Sequence, residues 1–369
     1  MDRNMRLFYQ AAQQLGLMVK YHADIAYLSI ILGKKNYYFH RTITPLNKGA
    51  SIFIAKNKYK LNKILEASGF PVPKAVAFTA NDYEEQSLSD LIQGLRFPLV
   101  AKPMTDSGRG TEVLCNIKNI NTLSDHIERM IQNHSCIQVE EFHQHFKEYR
   151  ILVLKKRVIG VVERFGASVI GDGKHSIEEL IAKSNEQRAQ LSLTLTISPL
   201  IVDEEYMDCL AEQNLTLQSI PDLGEKIRLC YTVNTGRGGE IYSHGKQIHP
   251  LNVEYLCRAA KTIGLTYVGL DVICEDINLP FNQTNWVIIE ANFNPDLTIH
   301  EIPNRGKKAK VINKLLLQLI YRHPFSYVYH LCMHSRWSIY IKMIFCSIGL
   351  LSIIYYLPKF ISIMDFILN

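Results

Sequence analysis

Two lysines stand where a phosphate would be met. Lys58 opens an amphipathic stretch with helical spacing, and Lys102 follows Phe97-Pro98-Leu99-Val100-Ala101, an apolar run that reads as a buried strand. An ammonium beside an apolar core has to find a carboxylate, a phosphate or water. The next residues, Thr105-Asp106-Ser107-Gly108-Arg109-Gly110, make a small segment whose backbone N–H groups could close over phosphate oxygens. It is neither a G-x-G-x-x-G fingerprint nor a Walker A loop, and an ordinary turn has the same composition. Further on, Asp271 interrupts the apolar run 268–273, while Glu290 and Asn292 close the run that begins at Trp286. Carboxylates seldom enter such strands without a counter-ion. Positions 290 and 292 share a strand face, and carboxylate and amide oxygens beside phosphates are ligands that Mg²⁺ accepts. A salt bridge and an asparagine cap would explain any one of these residues singly. Their joint occurrence with two lysines points to a nucleoside triphosphate and its metal.

Positioning these groups takes alternating strands and helices, which predicts an α/β or α+β fold and excludes a bundle or a sandwich. Residues 58–68 read as a helix with Leu61, Ile64 and Leu65 on one face, stopped by Gly69 and Pro71-Val72-Pro73. A strand begins at Val113-Leu114, a helix covers 122–131, and Ile137-Gln138-Val139 is a strand running into Glu140-Glu141. Residues 149–154 and 158–163 form a hairpin over Lys155-Lys156-Arg157. Ser176 caps a helix over 176–184, with Glu179 at the capping-box position. Helix 253–263, strands 267–273 and 286–290, and helix 309–320 complete the pattern.

Composition narrows the class. With 47% hydrophobic and 21% charged residues, and only 20 Gly and 13 Pro, the chain is neither disordered nor collagen-like. A net charge of +6, scattered along the sequence, lacks the basic stripe of a nucleic-acid binder and leaves small anions as partners. The eight cysteines form no C-x-x-C pair and no zinc spacing, so they read as buried thiols in a reducing compartment. The opening MDRNMRLFYQAAQQLGLMVKYH has no apolar core followed by a cleavage site, which reads as a cytoplasmic start. From Trp337 the character changes: residues 343–357 carry no charge, and Lys342 could snorkel from one end of a span needing roughly 20 apolar residues. Basic residues precede the run and aromatic ones sit at its margins. A membrane anchor and a hydrophobic docking or oligomer contact are both compatible with it.

The strand-lysine-glycine segment, the Gly269-Leu270-Asp271 strand and Ile288-Ile289-Glu290-Ala291-Asn292-Phe293-Asn294-Pro295 resemble an ATP-grasp carboxylate–amine ligase. The likeness is to the ATP-grasp module of cyanophycin synthetases and of bifunctional glutathione-synthesising enzymes. It is carried further by Gly171-Asp172-Gly173-Lys174-His175-Ser176, by Ile227-Arg228-Leu229 before Thr235-Gly236-Arg237-Gly238-Gly239, and by His300 and Pro303. The resemblance runs from about residue 50 to 320 and implies an α+β ATP-grasp fold, two subdomains gripping ATP; it covers neither the short N-terminal piece (1–50) nor the hydrophobic C-terminal helix (337–369). The ATP-grasp domain would span 51–320, divided into 51–140 and 141–320. Lys58 and Lys102 would meet the ATP phosphates, and Ser107, Gly108, Arg109 and Gly110 would form the covering loop. Glu141, Phe142 and Gln144 would line the adenine hinge, Glu148 would hold the ribose, and Arg150 would face ATP or the acid substrate. Asp271, Glu290 and Asn292 would bind Mg²⁺, two ions by the family pattern, with Mn²⁺ as a substitute. Arg228, Asn234, Gly238 and Gly239 would face the reacting acyl phosphate, and His300 could touch substrate or hold structure.

The implied partners are a small acid and a small amine, an amino acid or short peptide, with no nucleic acid; a membrane contact through the tail and a homo-oligomer are further expectations. The catalytic region would lie in the cytoplasm, attached to the cytoplasmic face of a membrane. An ATP-grasp phosphotransferase or a non-ligating nucleotide binder is the alternative. Departures fall on the acceptor side: Thr232 stands where relatives have Asn, Phe165-Gly166-Ala167-Ser168 replaces a Pro-Ala pair, and Arg237 splits the usual glycine run. Asp271→Asn and Glu290→Gln are expected to remove turnover and leave the fold intact.

Overall fold

The computed structural model describes residues 1–32, 34–104, 112–144, 146–334 and 338–368. The chain divides into two units, Met1–Pro45 with Ile312–Asn369, and Leu46–Val311.

In the first unit, helix Arg3–Gln14 starts where the Asp2 side chain accepts the Met5 amide at 3.0 Å. Strands β1 (Met18–His22), β2 (Tyr27–Leu32) and β3 (Lys35–Phe39) follow as an antiparallel meander. Met5 and Phe8 of the helix are buried, as are Leu28, Ile30, Leu32 and Phe39 of the meander. The far end of the chain returns here. In helix Pro324–His334 the Tyr327 hydroxyl donates to Leu15 O at 2.7 Å, and His330 Nε2 lies 3.0 Å from Gly16 O. Helix Ser338–Leu368 comes next, and its segment Ser338–Met364 is long and apolar enough to cross a membrane, with nothing of it buried.

Among the described residues the second unit holds a four-stranded sheet, a six-stranded sheet and a two-stranded ribbon. Strands β4 (Ala75–Thr79), β5 (Leu99–Pro103), β6 (Leu114–Ile117) and β7 (Cys136–Glu141) form an antiparallel sheet in the order β4-β7-β5-β6. Helix Ile120–Ile131 buries Leu123, Ile127 and Met130 in the core beneath it. A hairpin of β8 (Lys147–Leu154) and β9 (Arg157–Phe165) starts the larger sheet, turning at Lys155 with φ +55°. Next, β10 (Ser168–Ile170) and β11 (Lys226–Arg228) pair as a short ribbon. With β12 (Glu240–Gly245), β13 (Tyr267–Cys274), β14 (Trp286–Asn292) and β15 (Arg305–Lys307) the larger sheet reads β14-β13-β8-β9-β12-β15. Its core gathers Ile151, Val153, Val268, Leu270 and Val272 with Leu61 and Leu65 of helix Lys58–Ala67 and Leu256 and Ile263 of helix Pro250–Ile263. A strand in the middle of such a sheet, such as β8, is buried along most of its length, so it reads as a continuous apolar run without alternation.

Lys102 lies at the end of its strand as expected, the last residue before Pro103 closes β5, opposite Gln138 of β7. One expectation changes. The eight cysteines are free, but only Cys209, Cys230 and Cys274 are fully buried, and Cys346 is exposed on the apolar helix.

Candidate active site

On the smaller sheet, Lys102 is buried and its ammonium is ion-paired with Glu140 of the adjacent strand. Glu140 accepts a second hydrogen bond from Gln138 Nε2 at 2.7 Å. Of the partners open to a lysine at a core edge, the sheet supplies the carboxylate. Lys58 is the first residue of its helix, which Asn57 caps by accepting the Lys60 amide at 2.8 Å; the Lys58 amide donates to Met104 O at 3.2 Å. The covering-loop residues Ser107, Gly108, Arg109 and Gly110 lie outside the described residues.

The linker from β7 to β8 gathers several further candidates. Glu141 ends β7 and accepts the Arg96 amide at 3.1 Å. The Phe142 ring meets Tyr231 edge-on at 5.7 Å, and Gln144 Nε2 donates to Asn116 Oδ1 at 2.9 Å. Asn116 in turn donates to the Tyr231 hydroxyl at 2.9 Å and to Glu212 at 3.1 Å. Arg228 joins from β11: its guanidinium lies 4.2 Å from the centre of the Tyr231 ring, donates to the Tyr231 hydroxyl at 2.9 Å and directs Nε to Cys209 Sγ at 3.2 Å. Burial, reinforced by the hydrogen bond to Glu212, pushes the Tyr231 hydroxyl up to about 12. Tyr231 thus links Arg228 to the linker, a role its position in the sequence does not announce. His143, Phe146, Ile273, Trp286 and Val287 line one cleft between the linker and the ends of β13 and β14.

On the larger sheet, register brings the acids together. Asp271 of β13 stands opposite Arg150 of β8 on one side and Glu290 of β14 on the other, and Asn292 Nδ2 reaches to 3.5 Å from Asp271 Oδ2. Asp271 is 1% exposed. Both its oxygens meet the Arg150 guanidinium, Oδ2 at 2.6 Å from Nη2, and Arg164 adds a contact to Oδ2 at 2.9 Å. Arg164 also pairs with Glu148, so one guanidinium ties the expected ribose acid to the expected metal acid. Burial alone would raise the Asp271 carboxyl, but the charges of Arg150 and Arg164 outweigh it and hold the group below its usual range. Asp271 likewise raises Arg150 against the effect of burial. Glu290 is half-buried and makes no hydrogen bond or ion pair among the described residues.

Two carboxylates and an amide on adjoining strands are oxygen donors that fit a hard divalent cation. Among the described residues no three His, Cys, Asp or Glu side chains gather to hold a metal ion. The expectation that Asp271→Asn leaves the fold intact is corrected, because Asp271 is the counter-ion of buried Arg150 and of half-buried Arg164. Arg150 is correspondingly no surface residue. Arg164 was not singled out from sequence; its signal is an arginine at the end of the apolar run of β9, where a buried cation needs acids nearby.

Asn234 accepts the Gly236 amide at 2.9 Å and caps the turn Thr235–Arg237. The Gly238 amide donates to Thr235 O at 3.2 Å and the Gly239 amide to Asn234 O at 3.1 Å. These donors close the turn. Gly238 has φ +83°, and a Cβ there would lie 2.5 Å from Leu200 Cδ2. Arg237, which splits the glycine run, pairs with Asp203 and, at 3.0 Å, with Glu205. In the Gly171–Gly173 stretch, Asp172 accepts the amides of Lys174 and His175 at 3.0 and 2.9 Å, which makes this stretch a structural turn. His300 is fully buried, and its Nδ1 lies where a Cβ on Gly160 would come within 2.7 Å of it.

No family model matches the chain. Over 265 residues it is 34% identical to the cyanophycin synthetase of Crocosphaera subtropica, covering 71% of this chain and 30% of that protein. It is 30% identical over 295 residues to the glutathione biosynthesis bifunctional protein of Clostridium perfringens, covering 79% and 37%. Among solved structures, the bifunctional glutathione synthetase from Pasteurella multocida superposes with a TM-score of 0.58 at 25% identity, over 86% of this chain and 44% of that one. The architecture is the ATP-grasp fold, in the form found in carboxylate–amine ligases. The particular relatives are cyanophycin synthetases and bifunctional glutathione-synthesising proteins, of which this chain spans about a third.

Proposed function

We propose that the chain is an ATP-dependent ligase that joins a small carboxylic acid to an amine, an amino acid or short peptide, through an acyl phosphate, releasing ADP and phosphate. The observation that carries this reading is the register-matched face of β8, β13 and β14, where Asp271 meets Arg150 and Arg164 and has Glu290 opposite it and Asn292 beside it. Mg²⁺ bound by Asp271, Glu290 and Asn292 would neutralise phosphate charge there. Lys102 and Lys58 supply cations from the smaller subdomain, and Glu148 the acceptor for ribose hydroxyls. The substrate carboxylate attacks the γ-phosphorus in line, ADP leaves, and the amine then displaces phosphate from the acyl carbon. Arg228, which stacks on Tyr231, would balance negative charge on the transferred phosphoryl group. The two catalytic subdomains correspond to 51–140 and 141–320.

ADP release that requires both an acid and an amine, with an amide condensate in the mass spectrum, is the expected result from pooled amino acids and peptides. A phosphorylated acceptor, or tight ATP binding without any product, would replace this reading with a phosphotransferase or a nucleotide sensor. We further propose that Ser338–Met364 anchors the enzyme to the cytoplasmic face of a membrane, supported by its mean hydropathy of 1.8 and full exposure. Full-length protein should sediment with membranes and a version ending at Ser335 should not. If both stay soluble without detergent, the tail is instead a contact with a second copy.

A further inference from the structure

We infer that helix Pro324–His334 is an interfacial helix that lies in the headgroup layer of a lipid bilayer, immediately before the apolar helix enters it. This rests on the anchor reading above. One side of the helix is committed to the protein: His330 is buried at Gly16 O, and Tyr327 reaches Leu15 O. The opposite side exposes Phe325 at 88%, Tyr329 at 62% and Val328 at 41%. Positions 325, 328 and 329 are three and four apart in the helix and so form one stripe.

Large apolar side chains scattered singly need no explanation, but a contiguous stripe does. Its composition suits an interface, since Tyr329 combines an apolar ring with a hydroxyl that favours the headgroup level, and Phe325 and Val328 add apolar surface beside it. Continuity decides the occupant. The stripe leads directly into Ser338–Met364, whose Lys342 and Lys359 mark the two ends of an uncharged run. At about 1.5 Å per residue that run rises roughly 25 Å, close to the ~30 Å of a hydrocarbon core into which lysines snorkel from both sides. A bilayer that receives the run therefore begins near Lys342, eight residues past the end of helix Pro324–His334 in sequence. Arg322 and Arg336, which flank the helix in sequence, suit the anionic lipids of a cytoplasmic leaflet.

The test uses the full-length protein in vesicles of phosphatidylcholine with phosphatidylglycerol. Trp337→Phe removes one of the two native tryptophans and leaves Trp286 as a constant buried background. Into this protein Phe325→Trp, Tyr329→Trp or Leu350→Trp is introduced singly. Lipids brominated near the headgroup end of the acyl chain should quench the tryptophans at 325 and 329 more than lipids brominated near the methyl end, with a blue shift on vesicle addition. Leu350→Trp should show the reverse order. If Leu350→Trp is quenched deeply while both helix positions are untouched by bromine, the interfacial helix is wrong and the anchor stands. Absence of quenching at all three positions overturns both. A blue shift at 325 that follows protein concentration and needs no lipid assigns the stripe to a second copy and also overturns the inference.

Discussion

Replacing Asp271 with asparagine should unfold the enzyme at a much lower temperature, in contrast to the neighbouring Glu290→Gln. Asp271 is 1% exposed and receives the Arg150 guanidinium on both oxygens, with Arg164 on one of them. Neutralising it keeps the volume but leaves two largely buried guanidinium groups without the charge that balances them. Breaking a buried pair from one side costs about 3–5 kcal/mol, a large part of a typical stability of roughly 5–15 kcal/mol. At about 2–4 °C per kcal/mol for a large domain, the melting temperature should fall on the order of 10 °C. Glu290→Gln removes no hydrogen bond among the described residues and should stay within about 0.5 kcal/mol of the parent. The folded Asp271 carboxyl titrates below its usual range, so its contribution is fully present above the unfolded value of about 3.9 and fades as the pH falls through the folded value. Thermal unfolding by circular dichroism at pH 7 and at stepwise lower pH reads both effects. A melting temperature for Asp271→Asn equal to that of Glu290→Gln at pH 7 would refute the counter-ion argument.

Lys102→Met should abolish detectable nucleotide binding by calorimetry and also destabilise by about 3–5 kcal/mol, because Glu140 is left buried. Adding Glu140→Gln should restore most of the stability in a melt without restoring nucleotide binding, which separates the two roles of the lysine. Gly238→Ala should cost about 1–3 kcal/mol in denaturant unfolding, since φ is +83° and the new Cβ would meet Leu200 and the Tyr206 hydroxyl. An unchanged midpoint would mean that the turn relaxes more easily than its contacts imply.

What the sequence revealed depended on whether the cause was local. The Ser176 and Glu179 capping box forms as read, because four consecutive residues contain all its partners. The helix at Lys58 and the β8–β9 hairpin also form, with ends moved by a few residues. The strand end at Lys102-Pro103 is legible from the apolar run before it, but the partner of the lysine is not, because Glu140 lies 38 residues away. Arg164 escaped notice for the same reason, since its acids come from β8 and β13. Gly238 and Gly239 carried a recognisable pattern, but pattern could not tell amides that close a turn from amides that face a ligand.

The same pairings bear on how a triphosphate would be received. Bare ammonium, guanidinium and carboxylate groups cannot be stored in a protein interior at acceptable cost, and here Lys102 is held by Glu140 while Arg150 and Arg164 are held by Asp271 and Glu148. Binding a phosphate at Lys102 or a cation at Asp271 is then an exchange of partners, in which the released acid or base needs a new one at once. Arg164 makes the exchanges interdependent: if Glu148 turns to ribose hydroxyls, the guanidinium loses one acid and its hold on Asp271 strengthens, unless phosphate oxygens arrive to accept it. Nucleotide and metal should therefore bind cooperatively, and substituting Arg164 should weaken that coupling more than it weakens either affinity alone.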